Sequence, residues 1–156
     1  MKDTATHRTV WTIEKRRITE AEPYAIETFE GNLLLNEGIT LLLTLGMGGA
    51  GTAWDNAAAY IGVGDSSTAA AAAQTGLQAA VNKAWEAMEA TYPQVSSQSI
   101  IFRSIFEDGD GEFAWNEFSV GNSNDDSGEN LNRKVEAKGT KTSGESWTIT
   151  CTITLS

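Results

Sequence analysis

The chain holds one histidine, His7, and one cysteine, Cys151. Acyl transfer by a Ser-His-Asp or Cys-His set needs an imidazole fixed by a second group on a folded element. His7 instead stands in a polar stretch at the start of the chain, where order is weakest, so no catalytic role is expected of it. The same count leaves too few ligands for a zinc site built on His or Cys, and it leaves Cys151 without an intrachain disulfide partner. Gly62-Val63-Gly64-Asp65-Ser66-Ser67 has the outline of a phosphate loop. It lacks the Gly-Lys-Ser/Thr ending, and Ser67 stands where the dinucleotide fingerprint needs its third glycine. Asp108-Gly109-Asp110-Gly111-Glu112 opens like a calcium loop, but its sixth position is Phe113 instead of Gly and its twelfth is Ser119 instead of Glu. A tight turn is the expectation at both places. Asn124-Asp125-Asp126 with Glu129 offers carboxylates for a weak surface cation site. Asp55, Asp65 and Glu107 could each act as an acid or base, yet in so acidic a chain no pairing among them is favoured by spacing. No catalytic set is expected.

The elements that would hold such residues are mostly strands. From Trp147 to Leu155 the positions Trp147, Ile149, Cys151, Ile153 and Leu155 alternate with Thr148, Thr150, Thr152 and Thr154. Period two with a threonine face is the mark of a half-buried strand. His7 to Ile18 reads as a strand with Trp11 and Ile13 on one side, and Tyr24 to Glu30 as a second one after the Glu22-Pro23 break. Asn32 is a cap for a leucine-rich helix to about Leu45, stopped by Gly46, Gly48, Gly49 and Gly51, with Trp54 as the anchor of that loop. Ala58 to Gly64 is a short buried strand, and Ala69 to Ala73 a surface loop or single helical turn. Val81 to Tyr92 fits helix or strand, with a strand ending at Tyr92-Pro93 preferred. Ser99 to Phe106 and Phe113 to Gly121 read as a hairpin turning at 108–111, followed by a strand from Leu131 to Ala137. Six to eight strands, one helix and no regular strand–helix alternation predict an α+β, mainly β domain: an antiparallel sheet or β-sandwich with one main helix at about 32–45.

At 156 residues the chain has room for one domain with a hydrophobic core. Its net charge of −10 argues against a nucleic-acid partner, because neutralising phosphates takes a basic surface. No apolar run approaches a membrane span and the N-terminus carries no apolar signal region, so no membrane partner is expected. The basic residues gather near the ends, at Lys2, Arg8, Lys15, Arg16 and Arg17 and again at Arg133, Lys134, Lys138 and Lys141. They could dock on an acidic protein surface or be ordinary solvated faces.

Taken in order, Asn32…Gly38…Leu42, Tyr60-Ile61-Gly62-Val63-Gly64-Asp65, Thr68, Gln74-Thr75-Gly76-Leu77, Phe102-Arg103, Trp115-Asn116-Glu117-Phe118, Asn132-Arg133-Lys134-Val135 and Trp147-Thr148-Ile149-Thr150 resemble a recurrent phage module. It is the one found at the N-terminus of phage tail-collar fibres and in small phage virion proteins. The resemblance spans residues 32–156. It implies a single β-rich domain there, with residues 1–31 as an N-terminal arm and first strands. Fibres carry the module at the head of a long chain, and here no shaft or tip is expected. The resemblance therefore implies a non-enzymatic virion structural protein, a capsid decoration (cement) protein that bridges major capsid protein subunits on the capsid surface, as a homotrimer and without cofactors. A small tail, baseplate or fibre-adaptor protein is the alternative, and a host-surface carbohydrate-binding module with Trp54, Trp85, Tyr92 and Trp115 exposed is another. Under the cement reading Arg8, Trp11, Lys15, Arg16 and Arg17 are the expected contacts to a partner, with Trp11 either an anchor or a residue of the sheet.

Overall fold

The computed structural model describes residues 6–156. Strands β1 (His7–Arg17), β2 (Ala25–Glu30) and β3 (Leu33–Leu34) precede a single helix, α1 (Asn36–Gly46). Strands β4 (Tyr60–Gly64), β5 (Lys83–Ala87), β6 (Gln94–Ser96), β7 (Ser99–Phe106), β8 (Glu117–Gly121), β9 (Asn130–Val135) and β10 (Glu145–Leu155) follow. They form two antiparallel five-stranded sheets, ordered β2-β1-β10-β7-β6 and β3-β9-β8-β4-β5. The mainly β sandwich with one helix is the architecture the alternation predicts. No helix among the described residues is long and apolar enough to cross a membrane.

Strand β10 runs down the middle of the first sheet because its inward residues supply most of that sheet's apolar face: Trp147, Ile149, Cys151 and Ile153 are all buried. It pairs with β1 along the full length of both strands, from His7 opposite Leu155 to Arg17 opposite Glu145. Trp11, Ile13, Phe29, Phe102 and Phe106 complete the face, and Ile61, Val63, Phe118 and Val120 answer from the second sheet. Trp115 joins the two, edge-on to Phe106 at 4.9 Å and to Trp147 at 4.8 Å between ring centroids. Such edge-to-face pairs suit the positive rim and negative face of aromatic rings.

Four expectations are corrected. The helix begins at Asn36 with Leu35 as its cap residue and no side-chain cap. Asn32 instead meets His7, and Leu33 and Leu34 are drawn into the second sheet against Arg133 and Asn132. Ser99–Phe106 and Phe113–Gly121 do not form a hairpin. Strand β7 pairs with β10 and β6, and β8 with β4 and β9, so the 107–112 turn crosses from one sheet to the other. Both segments bear one apolar face, and a core shared across the sandwich satisfies those faces as well as a hairpin would. The strand expected to reach Tyr92 stops at Ala87; Met88 is buried, and Tyr92 N–H closes a turn on the Glu89 carbonyl. The short β6 has no counterpart in the sequence reading. Residues 1–31 were expected as an arm and first strands. The strands are there, but from His7 onward no free arm exists, because β1 lies between β2 and β10.

The long 65–82 connection lies over the outer face of the second sheet, and a buried ion pair fastens it. Glu117 and Arg133, on neighbouring strands, have fully buried side chains with Nη2 to Oε2 at 2.7 Å and Nε to Oε2 at 2.8 Å. The carboxylate also accepts the Gln78 and Ala79 backbone N–H groups at 2.9 and 2.7 Å. Arg133 Nη1 donates to the Thr68 carbonyl at 2.9 Å and to Gln74 Oε1 at 3.0 Å. Glycines make room beneath this layer. A Cβ on Gly64 would sit 2.4 Å from Glu117 Oε1, and one on Gly62 would sit 2.5 Å from the Trp85 ring.

Removing one member of a buried, hydrogen-bonded pair strands the other charge. Glu117→Gln is expected to destabilise the fold by about 3–5 kcal/mol in urea unfolding. Arg133→Met should cost a similar amount, and the double variant should cost less than the sum of the two. Additive losses would show that the pair does not act as a unit.

Candidate functional site

The five expected contact residues separate into two groups. Arg8 is exposed and paired with Glu30 at the edge of the first sheet, and Arg17 is exposed and bonded to Glu20 at 3.1 Å. Arg16 is half-buried. Strand alternation places Arg8 and Arg16 on the outer face of the first sheet, about 27 Å apart along β1. Between them on that face stand Val10, Thr12 and Glu14, beside Thr152, Thr150 and Thr148 of β10. Trp11 and Lys15 point the other way. Trp11 is fully buried against Phe29 and Phe118. Lys15 Nζ is held by Glu27 and the Lys138 carbonyl, 4.4 Å from the centroid of the Trp147 ring. Neither is available to a partner, because an eleven-residue strand in the middle of a sheet must turn every second side chain into the core.

The motifs that suggested chemistry are occupied by the fold. His7 Nε2 lies 3.1 Å from Asn32 Oδ1. In the 108–112 turn, Asp108 Oδ1 accepts the Gly144 N–H at 2.6 Å and Glu112 Oε1 accepts the Gly109 N–H at 3.0 Å. The cation among these carboxylates is Lys141, a buried lysine whose Nζ donates to the Glu107 carbonyl at 2.7 Å. Burial pulls its pKa down, and Glu112, Asp110 and Asp108 push it back up. In the 122–130 loop, Asp125 Oδ1 accepts the Ser127 side-chain and backbone donors, which lower its pKa, while Asp126 pairs with Lys83 and Glu129 accepts Asn122 Nδ2. Asp55 accepts the Ala57 and Ala58 N–H groups, and Asp65 accepts Asn82 Nδ2. Among the described residues no group of three or more His, Cys, Asp or Glu side chains is placed to hold a metal ion. Of the four aromatics a carbohydrate platform would need, Trp54 and Trp115 are buried.

The surface that stands out is apolar. A groove of about 560 Å³ opens where α1, the β6–β7 hairpin and the end of β10 meet. Trp54, Phe102, Leu131 and Ile153 are buried beneath it, and Leu42, Val95 and Leu155 stand exposed among its lining residues. No lining residue is charged. All of its lining except Leu34 and Leu131 comes from three segments that are free of Asp, Glu, Lys and Arg, Gly38–Trp54, Ala90–Phe102 and Ser146–Ser156. Beside the groove, Ile39, Leu43 and Met47 follow one another at i, i+4 and i+8 on the open side of α1, exposed by 39%, 64% and 88%. Opposite the polar stripe of Asn36, Glu37, Thr40 and Thr44, the rest of α1 is apolar, wider than one buried contact needs. Here only Gly38 and Leu41 are buried, Gly38 close enough that a Cβ would lie 2.5 Å from Leu131 Cα. The helical spacing of the leucines does not say which of them are covered. The long uncharged run through α1 and its glycine loop was the signal for an exposed apolar end.

No protein family, no curated protein and no solved structure matches this chain.

Glu86 faces the acidic 107–112 turn, and burial, then Asp110 and Glu107, raise its pKa. A raised carboxyl pKa means that ionised Glu86 costs stability above the folded pKa and costs nothing once both states are protonated. Glu86→Gln is therefore expected to raise the thermal midpoint at pH 7. The gain should shrink as pH falls through the raised pKa towards the ordinary glutamate value. A gain that persists unchanged below pH 4 would assign the effect to something other than charge. Burial pushes the Cys151 thiol far up, so a thiol reagent should label it only on unfolding, and rapid labelling of the native chain would contradict its burial.

Proposed function

We propose that this chain is a non-enzymatic bacteriophage virion structural protein, a capsid decoration protein that bridges major capsid protein subunits on the head. The observation that carries this reading is where the phage-like segments fall. Gly64, Thr68, Gln74, Glu117 and Arg133, drawn from five of them, meet in the buried ion-pair cluster, and Asn116 Nδ2 ties in by donating to the Asp65 carbonyl at 2.8 Å. Motifs that are weak one at a time thus belong to one structural device, which is how a fold signature behaves. The polar groups inside the molecule serve its rigidity: Glu117 accepts three hydrogen bonds, and Lys15 and Lys141 cap carbonyls. A cement protein works by holding its shape against neighbours, and this chemistry suits that task.

The coat-protein contact in this reading is the outer face of the first sheet, broad and threonine-rich, with Arg8 and Arg16 near its two ends. Cryo-electron microscopy of virions carrying the chain tests the proposal. Density for a 16.7 kDa protein at the three-fold or quasi-three-fold positions of the head is the expected result, with homotrimers as the resemblance implies. Density on the tail alone would reassign the chain to an adaptor or baseplate role, and absence from the particle would overturn the structural reading. In a capsid pelleting assay, Arg8→Glu combined with Arg16→Glu is expected to weaken binding at least tenfold, with the thermal midpoint little changed.

A further inference from the structure

We propose that the apolar end formed by α1, the groove and the β6–β7 hairpin is the surface through which copies of this chain associate with one another. The inference rests on the distribution of charge and apolar surface and stands whether or not the chain is a virion component.

The molecule carries a net charge of −10, so two copies repel one another over most of their approach. Carboxylates facing carboxylates across an interface cost several kcal/mol. An interface between copies therefore has to be free of acidic residues, and the groove lining and the three segments that supply most of it meet that requirement. A basic partner would gain most at the acidic turns elsewhere and nothing at this neutral end. An acidic partner, which a second copy is, finds its favourable contact here.

Shape and area point the same way. The patch presents both halves of a fit: Met47 and Leu43 protrude, 88% and 64% exposed, beside a recess of about 560 Å³. A surface that carries knob and hole together is self-complementary, as an interface between identical subunits requires. Six large apolar side chains are exposed here, Ile39, Leu42, Leu43, Met47, Val95 and Leu155. At about 100 Å² apiece they supply most of the ~800 Å² per partner found in stable interfaces. The strand at this edge, Gln94-Val95-Ser96, also lacks the charged residues that natural sheet edges use to discourage pairing.

Sedimentation equilibrium of the full chain, from micromolar to several hundred micromolar, tests this directly. The wild type is expected to sediment as an oligomer. Leu43→Glu with Met47→Glu should return it to the 16.7 kDa monomer with an unchanged circular dichroism spectrum and thermal midpoint. Val81→Glu, at a residue 83% exposed and outside the groove lining, should leave the oligomer intact. Raising salt should strengthen the wild-type association, because it screens the repulsion between acidic bodies. A wild type that is monomeric throughout would overturn the proposal, and binding of an apolar dye lost in the Leu43/Met47 variant would then assign the apolar end to a foreign partner. An oligomer that survives the double substitution, or that dissolves in salt, would equally overturn it by placing the contact on charged surface.

Discussion

The Glu117–Arg133 pair is the constraint on which the second half of the sandwich depends. Two charges removed from water are tolerable only when they are paired and further hydrogen-bonded, and these two recruit the backbone of Gln78 and Ala79, the carbonyl of Thr68 and the side chain of Gln74. The alanine-rich 65–82 segment has little apolar area of its own to bury. The ion pair gives it a fixed place instead, and Leu77 and Ala79 are buried with it. Gly64 is thereby confined to glycine, because the Glu117 carboxylate occupies the space its Cβ would fill.

This dependence explains which features were legible in the sequence. The Trp147–Leu155 alternation and the Trp11/Ile13 face could be read directly, since each is decided by period two within a single strand. The ion pair could not, because its partners lie 16 residues apart on strands whose pairing is decided by the whole sheet. The 99–121 region failed for a related reason: an apolar face seeking a core looks the same whether its partner is the next strand or the opposite sheet. Leu33 and Leu34 continued the helical spacing, but the open edge of β9 offered them ladder hydrogen bonds before the helix could begin. The basic cluster near the N-terminus was visible as composition, yet composition does not say which side of a strand faces water. Arg8 and Arg16 fall outward, while Trp11 and Lys15 fall inward.

The apolar end was half legible for the opposite reason. Spacing identified a leucine-rich helix, but hydrophobic periodicity counts apolar residues without saying whether the rest of the chain suffices to cover them. Leu41 and Gly38 meet the sheet, and Ile39, Leu43 and Met47 are left over. The molecule thus separates its surfaces by chemistry: a threonine-rich sheet face with arginines near its ends, acidic turns, and one neutral end. A protein that makes lasting contacts with two different neighbours needs such a separation, so that neither contact competes with the other.

The pairing of β1 with β10 joins the first described residues to the last, with Thr6 and Ser156 exchanging backbone hydrogen bonds. During synthesis β1 leaves the ribosome well before β10, the strand that completes its pairing. Contacts of such long sequence separation form slowly, and until they form Trp11 and Ile13 have only β2 for cover. Of the two sheets the first is therefore completed last, when β10 docks between β1 and β7.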